Sequence, residues 1–167
     1  MYQGFLAPYL IEKYAFKTAL EGYAYAFSSF FWFLGGLFAN TYLLKYYQAK
    51  RQIRLPIFVC ALAILCFLIS FKPFFAWILF ALANSSQAII TACFFALFAQ
   101  IIPKNGQGKI FGLWNAGLAL AAACGPFISS LLVRFNINLP YLIAACITTA
   151  SGLFYIYWYR KFGQKEN

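Results

Sequence analysis

Five long apolar runs separated by short polar pieces constrain this chain more than any other feature. They cover residues 22–44, 55–71, 74–102, 110–133 and 139–159. A helix rises about 1.5 Å per residue, so about 20 residues, with a range of about 17–25, cross a hydrocarbon core of about 30 Å. Inside lipid every backbone N–H and C=O must be satisfied within the segment, so each run is expected to be a helix. Closed strands do not fit, because the runs are too long and lack a period of two. Composition agrees: hydrophobic residues make up 64% and charged residues 10%, against about 25% charged in a soluble domain. The first partner of such a chain is therefore the lipid bilayer.

A sixth run, residues 1–11, reaches only about 17 Å as a helix and cannot span. Gly4 and Pro8 disfavour an isolated interfacial helix there. The run is expected to be the end of a truncated helix. Residues 161–167 are expected to form a tail, and no cleavable leader pattern is present.

The net charge of +10 does not point to nucleic acid, because the basic residues sit between the apolar runs and form no contiguous patch. Their distribution sets an orientation. One set of connections holds Lys45, Lys50, Arg51, Arg54, Lys104, Lys109, Arg160, Lys161 and Lys165; the other holds Lys13, Lys17, Lys72 and Arg134, with Glu12 and Glu21. By the positive-inside rule the first set, and with it the C-terminus, is expected in the cytoplasm. Tyr42, Tyr46, Tyr47, Tyr155, Tyr157, Trp158 and Tyr159 at one level, and Phe74, Phe75 and Trp77 at the other, read as aromatic belts.

Catalysis has little to work with. The chain has no His and no Asp, and its three acids are Glu12, Glu21 and Glu166, so no paired carboxylate is available for acid–base work. The five cysteines all lie in apolar runs without a C-x-x-C pair and read as small buried hydrophobes. Neither an enzyme nor a metal or cofactor site is expected.

No charged residue lies deep inside a span, so neutral polar groups are the candidates for contact with a solute. Asn84 and Gln87, three apart in the third-run sequence ANSSQ, share a helix face. Asn115 lies beside Trp114, and Tyr25, Ser29 and Trp32 share a face of the first span. These groups either line a cavity or join helices by hydrogen bonds worth about 0.6 kcal/mol each. Between residues 108 and 129, small residues recur every fourth position, in the series Gly108, Gly112, Ala116 and the series Gly117, Ala121, Gly125, Ser129. Such stripes let helices approach closely. Pro126 removes one backbone bond and is expected to bend the helix. Packing explains most of this pattern, and a moving gate is the second reading.

The stretch 101–134 (IIPKNGQGKIFGLWNAGLALAAACGPFISSLLVR) resembles the penultimate helix and preceding loop of the major facilitator superfamily. The matching pieces are Gln107-Gly108, then Gly112, then Gly125-Pro126 followed by small residues. The likeness is greatest to the drug:proton antiporters, the tetracycline and bicyclomycin-type exporters. Residues 5–36, with FLAPYLIEKY, a polar loop and a helix reaching Gly35-Gly36, resemble that family's seventh and eighth helices. After Gly36 the chain departs from the family's G-x-x-x-D-R-x-G-R-R loop motif, with Asn40 and Thr41 at the D-R positions.

This resemblance implies an all-α polytopic membrane protein, the C-terminal helical bundle of a twelve-helix transporter, with five full transmembrane helices plus a truncated one. It implies proton-coupled efflux of a small organic substrate across a bacterial inner membrane by alternating access. With no deep acid here, the titrating group would belong to the missing N-terminal transporter half, and the fragment would be inactive alone. Two alternatives stand beside it: half of a split or homo-oligomeric transporter completed by a second copy, and a non-transporting membrane subunit.

Overall fold

A computed structural model describes residues 6–14, 18–46 and 52–162. The predicted start at residues 1–5, the loop residues 47–51 and the tail beyond residue 162 lie outside the described residues. Among the described residues there is no strand. The helices are α1 (Leu6–Tyr14), α2 (Thr18–Phe38, continued by a π turn Ala39–Leu43 and a last turn Leu44–Tyr46), α3 (Arg54–Ile69), α4 (Pro73–Ile101), α5 (Lys104–Val133) and α6 (Leu139–Phe162).

Among the described residues four helices are long and apolar enough to cross a membrane: Gly22–Tyr46, Pro73–Gln100, Gly106–Val133 and Leu139–Trp158. The remaining expected span, the run 55–71, is a shorter apolar helix. There α3 holds 16 residues, about 24 Å of helix. It stops because Ser70 turns to an extended conformation ahead of Lys72, also extended, and Pro73, which opens α4. Proline suits a first helical position, where its missing N–H would have no partner anyway.

The helices run alternately up and down, which gives the bundle a Lys45 end and a Lys72 end. α4 is the hub. It packs along α2 on one side and α3 on the other, and α3 packs in turn on α6. Two buried clusters hold these contacts. The larger lies toward the Lys72 end and joins Tyr9, Leu10, Ala63, Ile64, Phe67, Phe80, Tyr141 and Ala145; the smaller joins Ile53, Ile57, Cys93 and Leu97 toward the other end.

Glycine decides where backbones meet. A Cβ on Gly35 would stand 2.6 Å from the carbonyl oxygen of Ser85, and Ser85 Oγ donates to the Phe31 carbonyl at 2.8 Å. α2 and α4 therefore touch main chain to main chain. Gly152 makes the second close approach, where an added Cβ would stand 2.6 Å from Ile57 Cγ2, and seats α6 on α3.

The small-residue stripe of α5 behaves differently. A Cβ on Gly108, Gly112 or Gly117 would meet nothing within 4 Å. Only 11% of the α5 span is buried, against 39% of the α4 span. Leu113, Leu120 and Phe127 stand fully to one side, at 71%, 67% and 67% exposure. Gly125 and Ser129 face inward, whereas Pro126 is exposed and the helix runs through it from Lys104 to Val133.

Candidate functional site

The groove between α2 and α4 brings together polar side chains of both helices. Tyr25, Ser28, Ser29 and Trp32 of α2 and Phe80 and Asn84 of α4 line a cavity of about 210 Å³. Beyond the Gly35–Ser85 contact a second hollow of about 300 Å³ continues along the same groove, between Trp32, Gly36, Asn40 and Leu44 of α2 and Thr91 and Phe95 of α4. Trp32 is the wall common to both. The groove is thus an aromatic and amide-lined trough pinned at its middle by a glycine.

Local folding aims these groups. Tyr25, Ser28, Ser29 and Trp32 recur at spacings of three and four, one face of a helix. Ser28 and Asn84 are buried, at 6% and 3% exposure, and each satisfies its backbone within its own helix. Ser28 Oγ donates to the Tyr25 carbonyl at 2.9 Å, and Asn84 Nδ2 donates to the Phe80 carbonyl at 2.8 Å. A buried polar group left unbonded would cost about 1–3 kcal/mol. Both belong to a wall whose described lining residues carry no charge.

The sequence-predicted residues divide. Tyr25, Trp32 and Asn84 meet in one cavity. Gln87, half-buried, lines neither hollow; its carbonyl accepts from Thr91 Oγ1 at 2.9 Å, and Ala88 takes the place expected for it. Asn115 is exposed on α5, away from both. Gly117 lines a separate apolar hollow of about 360 Å³ with Phe98, Ile110, Leu113, Trp114 and Leu118. Two wall residues were missed, Ser28 and Phe80. Both were legible as the i+3 neighbour of Tyr25 and the i−4 neighbour of Asn84.

The π turn sits on this groove. Leu44 N–H reaches back to the Ala39 carbonyl, and Thr41 Oγ1 donates to the Leu37 carbonyl at 2.7 Å. Such insertions recur at functional positions, and here the turn carries Asn40 and Leu44 into the second hollow.

At the Lys72 end a second polar knot ties α1 down. Lys13 Nζ donates to Tyr9 Oη and to the Leu68 carbonyl, each at 2.7 Å. Tyr9 Oη donates to Asn138 Oδ1 at 3.2 Å, and Tyr14 Oη donates to the Ser70 carbonyl at 2.8 Å. Partial burial holds the Lys13 ammonium below the usual lysine range, since removal from water disfavours the charged form. No group of three or more potential metal ligands occurs among the described residues.

Comparison with known proteins bears on what this arrangement serves. The family model of the Major Facilitator Superfamily matches residues 1–167. The uncharacterized MFS-type transporter YdeE of Escherichia coli (strain K12) is 26% identical over 159 residues, covering 94% of this chain and 40% of that protein. Sugar phosphate exchanger 3 of Xenopus laevis and that of Mus musculus are each 28% identical over 61 residues, 36% of this chain and 12% of theirs. The chain therefore spans less than half the length of these relatives. No solved structure gives a significant match.

Proposed function

The chain belongs to the major facilitator superfamily as a multi-pass membrane protein, and from that membership we propose that it forms one helical half of a secondary active transporter, with the α2–α4 trough as its wall of the substrate path. The observation that carries this reading is the trough itself. Tyr25, Ser28, Trp32, Phe80 and Asn84 converge on one cavity in two helices long enough to span. Polar groups at that depth are costly unless paired or put to use.

The transported molecule is a small organic substrate with a ring and hydrogen-bonding groups, moved outward in exchange for protons. Among the described residues no Lys or Arg lines this wall, so it does not favour the sugar phosphates named for the partly similar exchangers, which call for a cation to pair the phosphate. The coupling acid belongs to a segment outside this chain. Lys45, Arg54 and Lys109 stand at one end, and we assign that end and the C-terminus to the cytoplasm of a bacterial inner membrane.

α5 is the surface on which the opposing half seats. Its apolar residues Leu113, Leu120 and Phe127 stand exposed. A second copy of this chain is the alternative occupant, and a non-transporting subunit the reading that remains if no path forms.

The test is complementation. Cells expressing this chain alone show no energy-dependent efflux of amphipathic aromatic compounds. Co-expression with the remaining segment of a full-length relative such as the Escherichia coli transporter restores it. Efflux by the chain alone at the restored level, with a cross-linked dimer, overturns the half-transporter reading in favour of the self-paired one.

A further inference from the structure

The Lys13 knot and the trough lie at different levels of the bundle, yet a continuous stack of rings joins them. Lys13 Nζ stands 5.1 Å from the centroid of the Tyr9 ring. Tyr9 packs on Phe67 with centroids 5.0 Å apart, and Phe67 packs on Phe80 at 5.9 Å. Phe80 is a wall of the cavity. Tyr141 of α6 braces the middle of the stack, 4.7 Å from Tyr9 and 5.2 Å from Phe67. Tyr9, Phe67 and Tyr141 are all at most 2% exposed, so the rings have no room to shift independently. Close-packed interiors transmit displacement for this reason.

We infer that Lys13 is a positioning residue for the substrate cavity: it fixes Tyr9, and through Tyr9 and Phe67 it sets the Phe80 wall, so that undocking α1 at the Lys72 end loosens the cavity in the same step. The hydrogen bonds give the anchor its direction. The ammonium holds the Tyr9 hydroxyl on one side and the C-terminal turn of α3, at Leu68, on the other, and the same hydroxyl is tied to the α5–α6 turn through Asn138. Three elements thus depend on one side chain. Rings alone would pack on either face of the neighbouring helix; the charged anchor selects one. The consequence for transport rests on reading the trough as the substrate wall, whereas the mechanical link does not.

The experiment therefore uses no substrate. Ser28, buried in the cavity, is changed to cysteine in a chain whose five native cysteines are replaced. A parallel chain keeps only Cys93, which is fully buried in the cluster at the opposite end. Maleimide labelling rates are measured in native membranes. Lys13→Met is expected to speed labelling at position 28 by about fivefold, the opening that follows from losing one net hydrogen bond, and to leave Cys93 unchanged. Lys13→Arg keeps donors and charge and restores the slow rate. Tyr9→Phe keeps the stack without the hydroxyl and gives an intermediate rate. Should Lys13→Met fail to insert, Asn138→Ala carries the same test at the other end of the Tyr9 bond. Unchanged labelling at position 28, or an equal rise at Cys93, overturns the inference. Labelling as expected with transport by the complemented protein unchanged would instead count against the trough as the substrate wall.

Discussion

Asn84 is an amide that both bonds its own helix and lines the cavity. Its side-chain nitrogen donates to the Phe80 carbonyl one turn back, which helps hold the amide plane against the cavity. Gln87, a longer amide three residues on, lies off the trough. The two were indistinguishable as a pair in sequence, because a spacing of three leaves about 60° of rotation between them. That offset is enough to put one on the α2 side and the other off it. In the complemented transporter, Asn84→Ala is expected to weaken substrate affinity about tenfold, near 1.4 kcal/mol. Gln87→Ala, which removes no wall of the trough, is expected to change substrate affinity by no more than about twofold. Concentration-dependent transport rates read both, and equal losses at the two positions would remove the distinction.

At the scale of elements, the apolar runs made the helices and their order legible, because backbone satisfaction in lipid permits no other local structure. What they could not give is where helices stop and touch. α3 is cut short by the turn of Ser70 toward Pro73, though the apolar run continues through Phe71. The π turn of α2 escapes any reading at a fixed 100° per residue, since it changes the hydrogen-bond register itself. Contact points depend on crossing geometry, which is why the stripe on α5 drew attention while the working glycines proved to be Gly35 and Gly152. Gly35→Ala should therefore lower thermal stability in detergent by about 1–3 kcal/mol, the usual cost of overpacking. Gly36→Ala, whose Cβ would meet nothing within 4 Å, should be neutral or stabilising, because alanine is the better helix former. A reversed order between the two variants would displace the main-chain contact from its place in the fold.

For the molecule as a whole, burial is uneven. α2, α3, α4 and α6 form a joined block, whereas α5 meets α4 and α6 sparingly. The stripe through Gly108 and Gly112, which like Gly117 of the second series touches nothing within 4 Å, contributes little to the stability of this chain by itself. It becomes consequential once another helix is laid on it, since close approach is what small residues permit in lipid. Gly112→Ala with Gly117→Ala should accordingly leave the thermal midpoint of the isolated chain unchanged or higher. The same pair of changes should reduce co-purification with the complementing segment several-fold, because the added methyl groups hold the two helix backbones apart. Midpoint and pull-down yield separate the two effects, and a fall in the midpoint of the isolated chain would place the stripe inside the block.

The main-chain contact at Gly35 also limits how this wall can vary. With no side chain between them and a serine hydroxyl bridging to the Phe31 carbonyl, α2 and α4 behave as a single riveted plank. A solute larger than the present hollow cannot be admitted by spreading the two helices apart. Room would have to come from trimming rings such as Trp32 or Phe80, so on the proposed reading of the trough, side-chain size on a fixed frame would set which solutes fit.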